Sequence, residues 1–198
     1  MNHLATSKED ILAASRDLIK ENGWAAVSIR AVASRCSVSA GTIYNYYESK
    51  ADLLSDTIES IWHEIFFHPE DEQIFHDVES CISWIYERLE YGNRQFPGFF
   101  SLHSFGFMRD EKTSGKKRMM KTWGHILNGL CEVLENDPKV RADVFDQKFT
   151  EKKFADILFS LILVSMIRQD YDPSSVLMLV KKTLYVTVQS QAKFQKQV

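Results

Sequence analysis

The segment Val38-Ser-Ala-Gly-Thr-Ile-Tyr-Asn-Tyr-Tyr-Glu-Ser-Lys50 places a glycine, an asparagine and three tyrosines close together near the start of a 198-residue chain, with no catalytic group among them. Read as a helix opened by Ser39 with Ile43 turned inward, a rotation of about 100° per residue brings Tyr47 back to the inner face. Gly41 and Asn45 then point outward, flanked by Thr42 and Tyr44. Glycine on an exposed helix face costs about 1 kcal/mol relative to alanine. Close approach of another backbone is the simplest compensation. Asparagine bonds adenine through both of its amide atoms, a threonine methyl packs on thymine, and tyrosine and serine hydroxyls hold phosphates. The outer face of this segment therefore carries the groups of a recognition helix in a major groove.

The flanking sequence agrees. Thr6 and Ser7 each precede an acid by three residues, Glu9 and Asp10, which is the spacing of a capping box. Ile11, Ala14, Leu18 and Ile19 follow at helical intervals, and Gly23 predicts a left-handed stop, giving a first helix over about 8–22. Ser28 caps a second helix, with Ile29, Val32 and Ala33 inward and its end near Cys36. Ser49, with Asp52 three positions on, caps a fourth that runs through Leu53, Leu54, Ile58, Ile61 and Ile65. Two short helices joined by about three residues form a helix-turn-helix, about 29–48, whose second member reads base edges. The helix starts near Ser28 and Lys50 are natural phosphate sites. Residues 28–50 hold Arg30, Arg35 and Lys50 against Glu48 alone, although the chain carries a formal net charge of −3. Positive charge is thus confined to the motif, and the overall balance says nothing for nucleic acid.

His68-Pro69 and the acids after it predict a break. Beyond it the spacing predicts helices over 73–91, 97–110, 114–136, 149–169 and 174–193, with turns at Gly92-Asn93, Thr113-Ser-Gly115, Asn136-Asp-Pro138 and Asp170-Tyr-Asp-Pro173. With four prolines, eight glycines and no alternating strands, the chain reads as all-α. The apolar run from Ile157 to Ile167 contains Ser160 and Ser165 and is shorter than the roughly 18 residues a membrane span needs, so no membrane partner is expected. The opening residues lack the basic-then-apolar pattern of a secretory signal. Cys36, Cys81 and Cys131 are too scattered for a disulfide framework or a zinc knuckle, which points to a cytoplasmic protein without metal or cofactor.

Three stretches together, Ser28-Ile-Arg-Ala-Val-Ala33, Val38-Ser-Ala-Gly-Thr-Ile-Tyr-Asn-Tyr-Tyr47 and Ser49-Lys-Ala-Asp-Leu-Leu54, resemble the DNA-binding domain of the tetracycline-repressor (TetR) family of bacterial transcription regulators. The resemblance covers about residues 6–62. It implies an N-terminal three-helix helix-turn-helix domain (1–66) followed by a larger C-terminal helical domain for effector binding and dimerisation (67–198). By position, Ser28 and Arg30 resemble backbone and base contacts, Ser39, Ala40, Gly41, Thr42, Tyr44, Asn45 and Tyr46 the reading surface, and Lys50 a phosphate contact. Ser37 stands where the family has a glycine in the turn, and Tyr47 where it has phenylalanine. The implied function is a ligand-responsive regulator, commonly a repressor, that binds a palindromic operator in double-stranded DNA as a homodimer.

Elsewhere the residues indicate less. Trp84, Phe99, Phe100, His103, Phe107, Met120 and Trp123 combine apolar bulk with a polar handle, as a small-molecule site requires, or form solid core. The resemblance implies an effector pocket here and leaves the effector unknown. Arg109, Lys112, Lys116, Lys117, Arg118 and Lys121 read as a solvated loop and helix end, or as an anion site. The last two helices carry more apolar surface than one core needs, which a second copy pairing over about 149–193 would bury. An enzyme is the rival class. His63 and His68, five residues apart, sit about 140° apart on a helix, unlike the one-face arrangement of HExxH, and neither a GxSxG elbow nor a phosphate-cradling glycine loop occurs. A transcriptional activator, or a protein-interaction module of the same fold with no small-molecule effector, remains the alternative.

Overall fold

A computed structural model describes residues 6–66, 75–100 and 114–186, with side chains omitted for 114–122. All of its regular elements are helical: α1 (Lys8–Asn22), α2 (Ile29–Arg35), α3 (Ala40–Tyr44), α4 (Lys50–Phe66), α5 (Val78–Gln95), α6 (Ser114–Asn136), α7 (Glu151–Arg168) and α8 (Ser174–Val180). By internal contacts the chain separates into two compact units. One takes Met1–Asp71 and Tyr91–Met119, the other Glu72–Glu90 and Met120–Val198. The units interleave along the sequence, whereas the reading above divides the chain once, at 66/67.

In the first unit, α1 begins as a reciprocal capping box: the Asp10 N–H donates to Ser7 Oγ, and the Ser7 N–H donates to the Asp10 carboxylate at 2.8 Å. Ile11, Ala14 and Ile19 of α1, Val32 and Ala33 of α2, Ile43 of α3 and Leu53 and Ile61 of α4 are all buried in this unit, where α1 packs on α2 and α4 and α2 on α3. Gly23 does not close α1 in the expected left-handed helical conformation. Its φ of 76° is positive but its ψ is 177°, a region essentially reserved for glycine, and its N–H still bonds the Ile19 carbonyl at 2.9 Å. Trp24, Trp62, Phe66, Phe96, Phe99 and Phe100 form an aromatic cluster in the same unit, centred on Phe99 and Trp62, with ring centroids of the contacting pairs 5.3–6.3 Å apart.

The α5 helix departs from the sequence expectation at both ends. It starts at Val78 because Asp77 caps it, accepting the Ser80 N–H at 2.7 Å. It runs through Gly92, where a turn was expected, and stops at Gln95 ahead of Pro97 and Gly98, whose φ is 78°. A Cβ at Gly92 would lie 2.6 Å from Ile65 Cδ1 and 3.0 Å from Phe100 Cζ. The glycine is there for close packing and not to end the helix. Of the expected 97–110 helix, residues 97–100 are described: Pro97 and Gly98 form a turn, and Phe99 and Phe100 are helical.

In the second unit, α7 starts at Thr150, whose hydroxyl accepts the Lys153 N–H, and buries Phe154, Leu158, Ile162 and Met166 at four-residue intervals. The expected helix over 174–193 changes form earlier: α8 ends at Val180, a π-type turn follows over Lys181–Tyr185, and Val186 is extended. The buried Asp137 carboxylate holds this region together, accepting the Val78 N–H at 3.0 Å and the Tyr185 hydroxyl at 2.5 Å. Among the described residues no helix is long and apolar enough to cross a membrane, and no group of His, Cys, Asp and Glu is placed to hold a metal ion.

Candidate nucleic-acid interface

The helix-turn-helix is built from α2, a short turn and α3. Ser28 caps α2, accepting the Ala31 N–H at 3.1 Å. The helix closes by a double return: the Val38 N–H reaches the Ala33 carbonyl at 2.9 Å and the Ser37 N–H the Ser34 carbonyl at 3.1 Å. This closure needs a left-handed residue after the cap, and Ser37 takes it with φ 57°. A serine thus adopts the conformation for which glycine is the usual choice. Ser39 opens α3, its Oγ accepting the Thr42 N–H at 3.2 Å and lying 3.0 Å from Thr42 Oγ1.

The two faces of α3 separate as its spacing predicts. Ile43 and Tyr47 are buried, whereas Gly41 and Asn45 are exposed and Tyr44 is 55% exposed. Ser39 is also exposed, Ala40 and Thr42 are half-buried, and Ser28 is half-buried beside the exposed Arg30. Nothing within 4 Å except the Ser39 hydroxyl, at 3.5 Å, would meet a Cβ at Gly41, so this glycine leaves an open notch in the surface.

Three groups behave differently from the sequence expectation. Arg35 is drawn into a two-pronged pair with Glu21 at 2.5 and 2.6 Å, and its hydrogen bonds hold the Glu21 carboxyl below the ordinary range. The positive charge left to the motif is therefore that of Arg30 and Lys50, both exposed and without an acidic partner among the described residues. At the start of α4 one free N–H is already taken, because Ser49 Oγ accepts the Asp52 N–H and donates to the Asp52 carboxylate at 2.8 Å. The Lys50 side chain is exposed beside it. Tyr46 is half-buried, and its hydroxyl donates to the Thr6 carbonyl at 2.7 Å, a bond across 40 residues that no local pattern reveals.

Residues 11–57 match the family model described as bacterial regulatory proteins, tetR family. These residues are a tetR-family N-terminal domain. The chain is 38% identical over 48 residues to the HTH-type transcriptional regulator UidR of Escherichia coli K12, a match covering 24% of this chain and 24% of that relative. The all-helical fold extends the likeness beyond the tetR-type domain. A transcriptional regulator from Rhodococcus sp. Rha1 superposes with a TM-score of 0.66 at 17% identity, over 92% of this chain and 100% of that one. FadR from Bacillus subtilis, solved in complex with stearoyl-CoA, gives 0.61 at 17% identity over 88% and 97%. Salmonella enterica GusR gives 0.58 at 16% over 89% and 94%. All three have the fold of this chain.

The residues expected to line an effector site are placed in different surroundings. Phe99 and Phe100 are fully buried in the first unit's aromatic cluster, each within 5.6 Å of Trp62 by ring centroid. Trp84 and Trp123 belong to the second unit, where Trp84 packs on Phe75 at 5.3 Å and Trp123 on Phe159 at 5.9 Å. His103, Phe107, Arg109 and Lys112 lie outside the described residues, as do the side chains of Lys116, Lys117, Arg118, Met120 and Lys121.

Proposed function

We propose that this protein is a sequence-specific DNA-binding transcription regulator that acts as a homodimer and represses until an effector binds. The observation that carries the reading is the outer face of α3. Small and polar groups, Gly41, Thr42 and Asn45, are held out on a buried anchor of Ile43 and Tyr47, beside exposed Arg30 and Lys50. In this reading Asn45, Thr42 and Tyr44 meet base edges. Gly41 and Ala40 let the helix sit close, Ser28, Ser39 and Lys50 hold the sugar-phosphate backbone, and Arg30 adds a base contact from α2. Each subunit fills one half of a palindrome, with half-site centres about 34–36 Å or a multiple apart.

Dimerisation uses α7 and α8. They expose Ile157, Val164, Ile167, Met178 and Leu179, each at least 38% accessible, and a second copy pairing over about 149–193 covers them. FadR was solved with an acyl-CoA, which supports an effector with a large apolar part. Trp84 and Trp123 are the described residues proposed to meet it. Selection of bound fragments from random or genomic DNA tests the function: a selected duplex should bind at least about 10³-fold more tightly than random DNA at the same salt. Binding that is equal for all sequences would remove the regulatory reading.

A further inference from the structure

By its place in the sequence Tyr46 belongs to the reading surface, yet its hydroxyl is already committed. It donates to the carbonyl of Thr6 at 2.7 Å, and Thr6 is 6% exposed. A phenol has one proton to give and a phosphate oxygen only accepts. A phosphate contact by Tyr46 would break this bond and strand a buried carbonyl, a loss of about 1–3 kcal/mol. We infer that Tyr46 is a positioning residue: it ties the C-terminal end of α3 to the chain just ahead of α1 and so sets the angle at which Tyr44 and Asn45 face outward, without touching DNA itself.

The length of α3 makes such a tie necessary. Five residues are far below the span at which a helix holds itself in water, so the attitude of α3 depends on what it is fastened to. Ile43 and Tyr47 fix its inner face. Tyr46 fastens its far end to a point that is itself immobilised. The Ser7–Asp10 box closes the start of α1, Lys8 pairs with Asp56 at 2.6 Å and sits 5.6 Å over the Tyr47 ring, and Cys36 Sγ reaches the Asp10 carbonyl at 3.8 Å. The bond therefore runs from the reading helix to a rigid corner of the same unit.

This inference rests on the DNA-binding reading above, and the experiment separates the two. Tyr46→Phe keeps the ring and removes the hydroxyl. The variant and the wild type are titrated with a duplex that the wild type selects from random sequence, with an unselected duplex, and with selected duplexes carrying single neutral methylphosphonates. Positioning requires that the variant bind the selected duplex about 5- to 10-fold more weakly, the loss of roughly one hydrogen bond, with the unselected duplex unaffected. Every methylphosphonate should then penalise both proteins alike, and in free protein the amides of residues 42–47 should exchange faster in the variant. Undiminished affinity for the selected duplex overturns the inference. So does an equal loss on both duplexes, which signals a smaller folded fraction, or a methylphosphonate penalty that vanishes in the variant, which signals direct contact. If the wild type selects no duplex, the DNA-binding reading itself fails, before the variant is consulted.

Discussion

Ser37 shows how one residue reports on a backbone. The return bonds that close α2 fix its left-handed φ of 57°, which costs an L-residue about 1–2 kcal/mol relative to the right-handed region. Ser37→Gly is therefore expected to raise stability by up to about 1 kcal/mol, the relief being partly offset by the freer unfolded chain. Ser37→Val, branched at Cβ, should lower it by about 1–2 kcal/mol; urea titration measures both, and a valine variant as stable as wild type would deny the left-handed turn. On the reading face, Asn45→Ala should cost about 1–3 kcal/mol and relax preference at one base pair. Lys50→Ala should weaken all duplexes alike and lower the salt slope by about 1. Quantitative titration of selected duplexes with single base changes, across a salt series, separates these two signatures. The outward direction of Asn45 was legible because helical spacing alone sets which way it faces, and Lys50 stood out by its place at a helix start. Arg35 and Tyr46 were not, because their partners, Glu21 and Thr6, lie 14 and 40 residues away. Counting charges within a motif cannot detect a neutralising acid supplied by another helix.

At the scale of an element, α5 separates what periodicity specifies from what it leaves open. Its buried residues Val78, Cys81, Ile82, Ile85 and Leu89 follow the helical repeat, so its existence was legible. Its ends were misplaced because Asp77 and Gly92 each serve a tertiary neighbour. Hydrogen bonds from Lys139 and from the Ser80 N–H hold the Asp77 carboxyl at about 2, below the ordinary 3.8. A carboxyl depressed in the folded state adds stability above its unfolded pKa, and this contribution is lost as pH falls through the folded value. Asp77→Asn should therefore lower the thermal midpoint at pH 5–7, with the deficit shrinking between about pH 4 and pH 2. A deficit independent of pH would exclude the ionic bond as its source. Gly92→Ala tests the other end. The added methyl has no room beside fully buried Ile65 and Phe100, and overpacking costs about 1–3 kcal/mol even after the gain in helix propensity. Ile65→Val removes the atom in closest conflict, so the double variant should lose less than the sum of the single losses. Additive losses in chemical denaturation would show that the two sites do not touch.

For the whole molecule, the decisive quantity is where large apolar side chains remain in water. Among the described residues they are Tyr44 on α3 and Ile157, Val164, Ile167, Met178 and Leu179 on α7 and α8. Apolar atoms scattered singly over a surface need no explanation, but five large apolar side chains exposed on two successive helices are what the proposed dimer interface would cover. Tyr44 lies on the face proposed for DNA, which leaves α7 and α8 for the proposed dimer. In that proposal two copies of the same surface meet through a two-fold axis, which would also supply the paired reading helices that a palindrome requires. The protein is thus expected to run as a dimer at micromolar concentration in light scattering. Its thermal midpoint should rise with concentration, because association stabilises the folded state by mass action. Val164→Glu places a carboxylate on each side of the axis, where neither gains a partner, and should shift the species towards monomer while leaving the helical signal in place. Losing the second copy would also remove the second half-site contact, so the same variant should bind the full palindrome and an isolated half-site with nearly equal affinity, whereas the wild type is expected to prefer the palindrome by about 10²- to 10⁴-fold. A variant that becomes monomeric and keeps that preference would show that the two reading helices are coupled by some other surface.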